Sequence, residues 1–166
     1  MTRPTSRAPR APRAAAWLAL LLCAASAWAA TPAGSGSAAP PALEQYRGRP
    51  VLVNWWATWC GPCIREMPEL DEFARSQSGA GAVQVVGIAL DEAANVDAYL
   101  ARRPVRYPVL VEAVEYGESG SSAGYGNRHG VLPYSVLLDA RGRVVRSKAG
   151  PLTAAELASW QAALPR

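Results

Sequence analysis

The run "PVLVNWWA", Pro50 to Ala57, constrains this chain more than any other stretch. It is uncharged, rich in β-branched and aromatic residues, and follows a Gly-Arg-Pro turn, so it suits a fully buried strand. It leads through a cysteine pair into "PCIREMPELDEFARS". There Ile64, Met67, Leu70 and Phe73 recur every third residue, the spacing of one helix face. Pro62 fits the first turn of that helix. Pro68 lies inside it and is expected to kink it.

The same order then repeats. "GAVQVVGIAL" (81–90) reads as a second buried strand. "DEAANVDAYLARR" reads as a helix with acids at its start and arginines at its end, which suits the helix dipole. Strand, helix, strand, helix in sequence argues for an α/β fold with parallel pairing. "YPVLVEAVEYGESGSSAGYGNRHG" reads mostly as a long connection. "PYSVLLDARGRVVRSKAG" reads as a hairpin turning at Ala140–Arg141–Gly142. In the closing helix, Thr153 and Glu156 have capping-box spacing.

The 166 residues suffice for one domain with a proper core. A pI near 9.3 suggests a nucleic-acid partner, but the charge is unevenly placed. Arg3, Arg7, Arg10 and Arg13 lie ahead of every acid; without them the 17 basic residues fall to 13, equal to the 13 acidic ones. The nucleic-acid reading loses its main support. The arginines precede an uncharged stretch, Ala14 to Ala30, and "AWA" at 27–29 offers small residues for cleavage after Ala29. That is the pattern of an export signal. The apolar stretch also approaches the about 17–25 residues of a membrane span, so an uncleaved anchor stays open. Cys23 lies in this stretch behind Leu22, where a lipoprotein signal wants a small residue. The expected layout is signal or anchor at 1–29, a Pro/Gly/Ser/Ala linker at 30–42 and a domain at 43–166.

Cleavage would leave Cys60 and Cys63 as the only cysteines. At a strand-to-helix junction, the first cysteine of a Cys-x-x-Cys pair meets the unpaired N–H groups and positive end of the helix, which favour its thiolate. Cys60 is then the attacking nucleophile and Cys63 the resolving thiol, with Gly61 and Pro62 fixing the small ring. A zinc site normally takes four ligands, whereas here one pair is joined by one histidine, His129. A copper site would use the same three residues. A structural disulfide this short would constrain little chain. The redox dithiol is the best reading, with no metal or other cofactor.

With Trp59-Cys60-Gly61-Pro62-Cys63 and the later "GVLPYSVLLDARGRVV", the chain resembles the thioredoxin superfamily, in particular its exported TlpA/ResA-type branch, over about Leu43 to Leu164. The resemblance implies a thioredoxin-like fold, a central mixed β-sheet flanked by helices. It implies a cis Leu132–Pro133 bond beside the dithiol, with the Leu132 backbone facing substrate. Trp59 would form an aromatic rim there; Trp55 and Trp56 are read as core. Glu66 matches a glutamate that the family uses near its site. Thioredoxin carries a buried Asp six residues before its first cysteine; here that place is Asn54, which cannot titrate. Glu66 thereby becomes the candidate proton carrier. Lys148, the chain's only lysine, lies far along the sequence and is not expected near the site. His129 reads as a loop residue. The 117–130 loop is either a substrate-contacting insertion or a surface loop.

The resemblance further implies a periplasmic reductant of protein disulfides, serving cytochrome c maturation or copper-centre assembly. A membrane thiol transporter of the DsbD/CcdA kind would supply its electrons. A DsbA-like oxidant is the first alternative, and a Cu(I)-binding chaperone using the two cysteines is the second.

Overall fold

The structure, a computed structural model, describes residues 41–79, 81–113 and 120–165. The leader and linker assigned to residues up to 40, and residues 117–119 of the long loop, lie outside them. Five strands form one sheet. β1 (Val51–Trp56) leads into helix α1 (Gly61–Ser76), followed by β2 (Gln84–Leu90), α2 (Ala93–Arg102) and β3 (Val109–Glu112). The hairpin β4 (Tyr134–Leu138) and β5 (Val144–Ala149) and helix α3 (Ala154–Ala162) complete the chain. The strand order is β3-β2-β1-β4-β5. β1, β2 and β3 are parallel, and the hairpin is antiparallel to them, so the sheet is mixed. This is the thioredoxin-like arrangement.

β3 corrects the sequence reading, which took 107–130 mostly as connection. Its four residues are only partly buried and pair along one edge, with Gly87 opposite Val109. So short an edge strand lacks the continuous apolar run that marks β1 and β2. The other boundaries follow local chemistry. Gly142 has φ +77° and donates its N–H to the Asp139 carbonyl (2.8 Å), closing the hairpin turn. Thr153 and Glu156 form the reciprocal capping box at the start of α3. Helix α1 runs unbroken through Pro68. That proline is exposed, so water can serve the carbonyl whose helical N–H partner it removes.

Strand alternation splits the core. Val51, Val53 and Trp55 of β1 face Val86, Ile88, Tyr134 and Val136, under the 3-10 turns Pro41–Tyr46 and Ser121–Tyr125. Leu52 and Trp56 point the other way, to the face that α1, α2 and α3 cover through Leu70, Val96, Leu157 and Trp160. Consecutive right-handed crossovers place α1 and α2 on the same face. Asn54 falls between Leu52 and Trp56 and shares their orientation toward α1. The molecule has two poles. The upper one holds the end of β1, the start of α1 and the start of β4. The lower one holds the starts of β1 and β2, the hairpin turn and the ends of the helices.

Candidate active site

Cys60 is the N-cap of α1, extended in backbone (φ −84°, ψ 98°), and its Sγ accepts the Cys63 N–H at 3.3 Å. The two sulfurs are bonded to each other, with Cα atoms 5.3 Å apart. Cys63 is wholly buried, whereas Cys60 keeps 6% of its surface. Trp59 beside them is 58% exposed, and Gly61 and Pro62 are also exposed. The pair thus sits just beneath the upper surface, with Cys60 nearer to it than Cys63.

The facing wall comes from β4. The Leu132–Pro133 bond is cis. Tyr134 pairs with Trp55, which sets Pro133 level with the end of β1, and Leu132 packs on the cluster holding Cys60 and Cys63. The wall is braced from behind. Asn127 accepts the Val131 N–H (2.9 Å) and donates to the Val131 carbonyl (2.9 Å) and the Ser122 hydroxyl (3.0 Å). The Trp55 indole N–H donates to the Ser121 hydroxyl (2.7 Å), and the Tyr134 hydroxyl to the Tyr125 carbonyl (2.8 Å). Residues 120–127 therefore pack into the domain. Exposed Arg128 and His129 form the outer part of the loop. Trp55 and Trp56 are both fully buried.

Beneath the dithiol lies a polar network in the sheet-to-helix interface. Glu66, 2% exposed, accepts the Asn54 side-chain amide at 2.8 Å and the Leu152 backbone N–H at 2.7 Å. The same Asn54 nitrogen donates to the Ser135 hydroxyl at 2.9 Å. Burial pushes the Glu66 carboxyl above the usual carboxylate range. The Leu152 and Asn54 hydrogen bonds and the Lys148 charge act against that shift. Lys148 corrects the expectation that it lies away from the site. It pairs with Ser135 across the hairpin, and its ammonium donates to the Pro151 carbonyl and to Glu156. Sheet register closes a separation that looks large along the chain. The Lys148 ammonium and Thr153 hold half-buried Glu156 low, at about 2.

Sequence reading also missed a clamp on the segment before Cys60. Asp91 at the end of β2 accepts the Thr58 N–H (3.1 Å) and hydroxyl through Oδ2. Through Oδ1 it accepts the Glu92 N–H (2.8 Å) and the Asn95 amide (2.9 Å). Burial raises its pKa, but hydrogen bonds from Thr58, Asn95 and Glu92 outweigh that and hold it low. "DEAAN" read simply as a helix start; only the parallel β1–β2 register brings Asp91 to Thr58. Among the described residues no three His, Cys, Asp or Glu side chains cluster to hold a metal.

A cis proline ahead of β4, level with the end of the strand that leads to a Cys-x-x-Cys pair, defines on this sheet a thioredoxin-like protein. The Redoxin family model matches residues 31–164, and the chain belongs to that family. It is 30% identical over 112 residues to the thiol-disulfide oxidoreductase ResA of Geobacillus thermodenitrificans, covering 67% of this chain and 60% of that protein. The chain thus spans under two thirds of that relative's length. A thioredoxin-related protein from Neisseria meningitidis serogroup B superposes with a TM-score of 0.64 at 33% identity, covering 74% of this chain and 90% of that one. A putative thiol:disulfide interchange protein DsbE from Chlorobium tepidum gives 0.62 at 28%, covering 74% and 85%.

Glu66 links this site to stability. Its folded-state pKa lies above the unfolded value, so the native state binds the proton more tightly. Its contribution to stability is full below the unfolded value of 4.5 and is lost as pH rises through the folded one. Glu66→Gln is expected to flatten the melting temperature against pH above that point. An equally steep fall in the variant would assign the dependence to another group.

Proposed function

We propose that this chain is a thiol–disulfide oxidoreductase that reduces protein disulfides in an exported setting, with Cys60 as nucleophile and Cys63 as resolving thiol. The observation that carries this reading is the bonded Cys60–Cys63 pair at the N-terminus of α1, Cys60 keeping 6% of its surface and Cys63 none. In the reduced protein, the Cys60 thiolate attacks a substrate disulfide. One substrate thiolate leaves and a mixed disulfide forms. Cys63 then attacks the Cys60 sulfur, the second substrate thiolate leaves, and two electrons have passed to the substrate. Cys63 must lose its proton where water does not reach. Glu66, one helical turn further along the same face, is the proton acceptor, since burial lets it hold a proton nearer neutral pH than a solvated glutamate does. Asn54 and Leu152 fix its carboxylate. Trp59, Gly61, Pro62, Leu132 and Pro133 receive the substrate segment.

The names of the similar proteins support thiol–disulfide exchange. The basic, apolar, small-residue order of residues 1–29 supports export into the periplasm, ahead of a linker at 30–42 and the domain at 43–166. Anchorage through an uncleaved leader fits the same pattern. Electrons would come from a membrane thiol transporter of the DsbD/CcdA kind, and the products would be reduced cysteines for cytochrome c maturation or copper-centre assembly.

The deciding measurement is the Cys60–Cys63 reduction potential, by equilibration with glutathione or dithiothreitol. A value toward that of thioredoxin, roughly −270 mV, is expected; one near roughly −120 mV, the DsbA value, would make the protein an oxidant. Glu66→Gln is expected to slow insulin reduction about a hundredfold. It should also remove the rise of rate with pH that deprotonation of Glu66 gives. A variant that keeps that rise would clear Glu66 of the proton transfer.

A further inference from the structure

We propose that the lower pole of the domain is a docking surface for an anionic lipid bilayer, holding the dithiol pole away from the membrane. The proposal does not rest on the redox reading. Thirteen basic and thirteen acidic residues follow Arg13, so this region has no net charge, yet the arginines gather at one pole. Arg47, Arg75 and Arg143 are exposed around the lower pole and paired, with Glu44, with Asp71 and Glu72, and with Asp139. Arg49, Arg102, Arg103, Arg106 and Arg141 are also exposed there, and none forms an ion pair among the described residues. The Arg103 guanidinium lies 6.0 Å from the centre of the Tyr99 ring. Asp91, Glu92 and Asp97 lie toward the upper pole, at the end of β2 and in the first half of α2. Among the described residues, the eight arginines named at the lower pole outnumber its four carboxylates, Glu44, Asp71, Glu72 and Asp139, so that pole carries an excess of positive charge.

The pole is also shaped to take anionic groups. A recess of about 370 Å³ opens between the end of α1 and the starts of β1 and β2. Arg49, Arg75, Arg106, Gln77 and Gln84 line it, and no carboxylate does. Guanidinium groups suit phosphate oxygens; Arg75 is held by Asp71 and Glu72 beside the recess, while Arg49 and Arg106 form no ion pair among the described residues. Basic clusters of this size are drawn to anionic bilayers.

Two observations favour a bilayer over a nucleic acid. The Pro41–Tyr46 turn, which opens the described domain, runs to this pole at Gly48, whose N–H donates to the Ala140 carbonyl at 3.0 Å. The segment that precedes it carries the uncharged apolar stretch Ala14–Ala30. Single-stranded nucleic acids also want aromatic stacking platforms. The strongly exposed aromatic among the described residues is Trp59, at the opposite pole. With the lower pole on lipid, the six residues of β1 lift the dithiol by about 20 Å, facing it to the solvent where protein substrates approach.

The test is arginine footprinting of the full-length chain with phenylglyoxal, read by mass spectrometry. It compares vesicles of phosphatidylcholine alone with vesicles carrying about 30% phosphatidylglycerol. Arg49, Arg106 and Arg141 are expected to react severalfold more slowly with the anionic vesicles only, and to recover in about 0.5 M salt. Arg65 and Arg128, at the dithiol pole, should not change. Equal reactivity with both vesicles, equal protection of both poles, or protection by an oligonucleotide but not by vesicles would overturn the proposal. A triple Arg49→Gln, Arg106→Gln, Arg141→Gln variant should lose about a hundredfold in the charge-dependent part of vesicle affinity. It should reduce insulin as the parent does, which separates a failed docking surface from a failed enzyme. Unchanged affinity in that variant would likewise sink the docking surface.

Discussion

Cys60→Ser is expected to drop insulin reduction to background, a loss of about a thousandfold or more. Cys63→Ser should fail differently. Cys60 is the cysteine that keeps 6% of its surface, and its Sγ sits at the N-terminus of α1, where backbone N–H groups stabilise a thiolate. Without it no mixed disulfide forms, because Cys63 is wholly buried. Without Cys63 the first attack still proceeds, but the mixed disulfide has no internal thiol to resolve it. It should accumulate as a heavier band on a non-reducing gel and vanish with dithiothreitol. Full activity of Cys60→Ser, or trapped adducts on Cys63 in that variant, would reverse the assignment of the two sulfurs.

Trp55→Ala is expected to cost about 3–5 kcal/mol, a large part of the roughly 5–15 kcal/mol that holds a domain folded. Trp55 is wholly buried, and its ring meets those of Tyr125 at 5.4 Å and Tyr134 at 6.2 Å. Its indole N–H ties β1 to Ser121 at the start of the turn that braces Pro133. The deletion therefore opens a cavity and loosens the wall opposite the dithiol together. Urea titration should show a lower midpoint with an unchanged slope, and melting should fall by about 10 °C or more. Trp55→Phe keeps an aromatic ring but loses the N–H and part of the indole's volume, for about 1–3 kcal/mol. Trp59→Ala, in an exposed residue, should change stability by less than about 0.5 kcal/mol. A loss below about 1 kcal/mol in Trp55→Ala would show that the wall stands without this ring.

The buried strands β1 and β2, helix α1 and the hairpin were legible because each repeats a strong local pattern: a continuous apolar run, a three-residue helical spacing, a glycine turn. β3 was not, because four half-buried edge residues carry no such signal. The dithiol was legible from spacing at a strand–helix junction. The partners of Glu66 were not. Leu152 is 86 residues away along the chain and meets the carboxylate only because the hairpin and the start of α3 fold over α1. Asn54 read as a residue that cannot titrate; the structure adds its role as donor to both Glu66 and Ser135.

The sequence by itself determined the α/β order, the position of the cysteine pair at a helix start and the thirteen-to-thirteen charge balance after Arg13. These depend on neighbours along the chain, where spacing and composition act directly. Only the tertiary structure decided which cysteine keeps some surface, that the Lys148 charge reaches Glu66, that Asp91 clamps Thr58, and that arginines outnumber carboxylates at the lower pole. Each depends on distances through space, set by strand register and helix crossing. Burial and Coulomb interactions follow those distances and not separation along the chain.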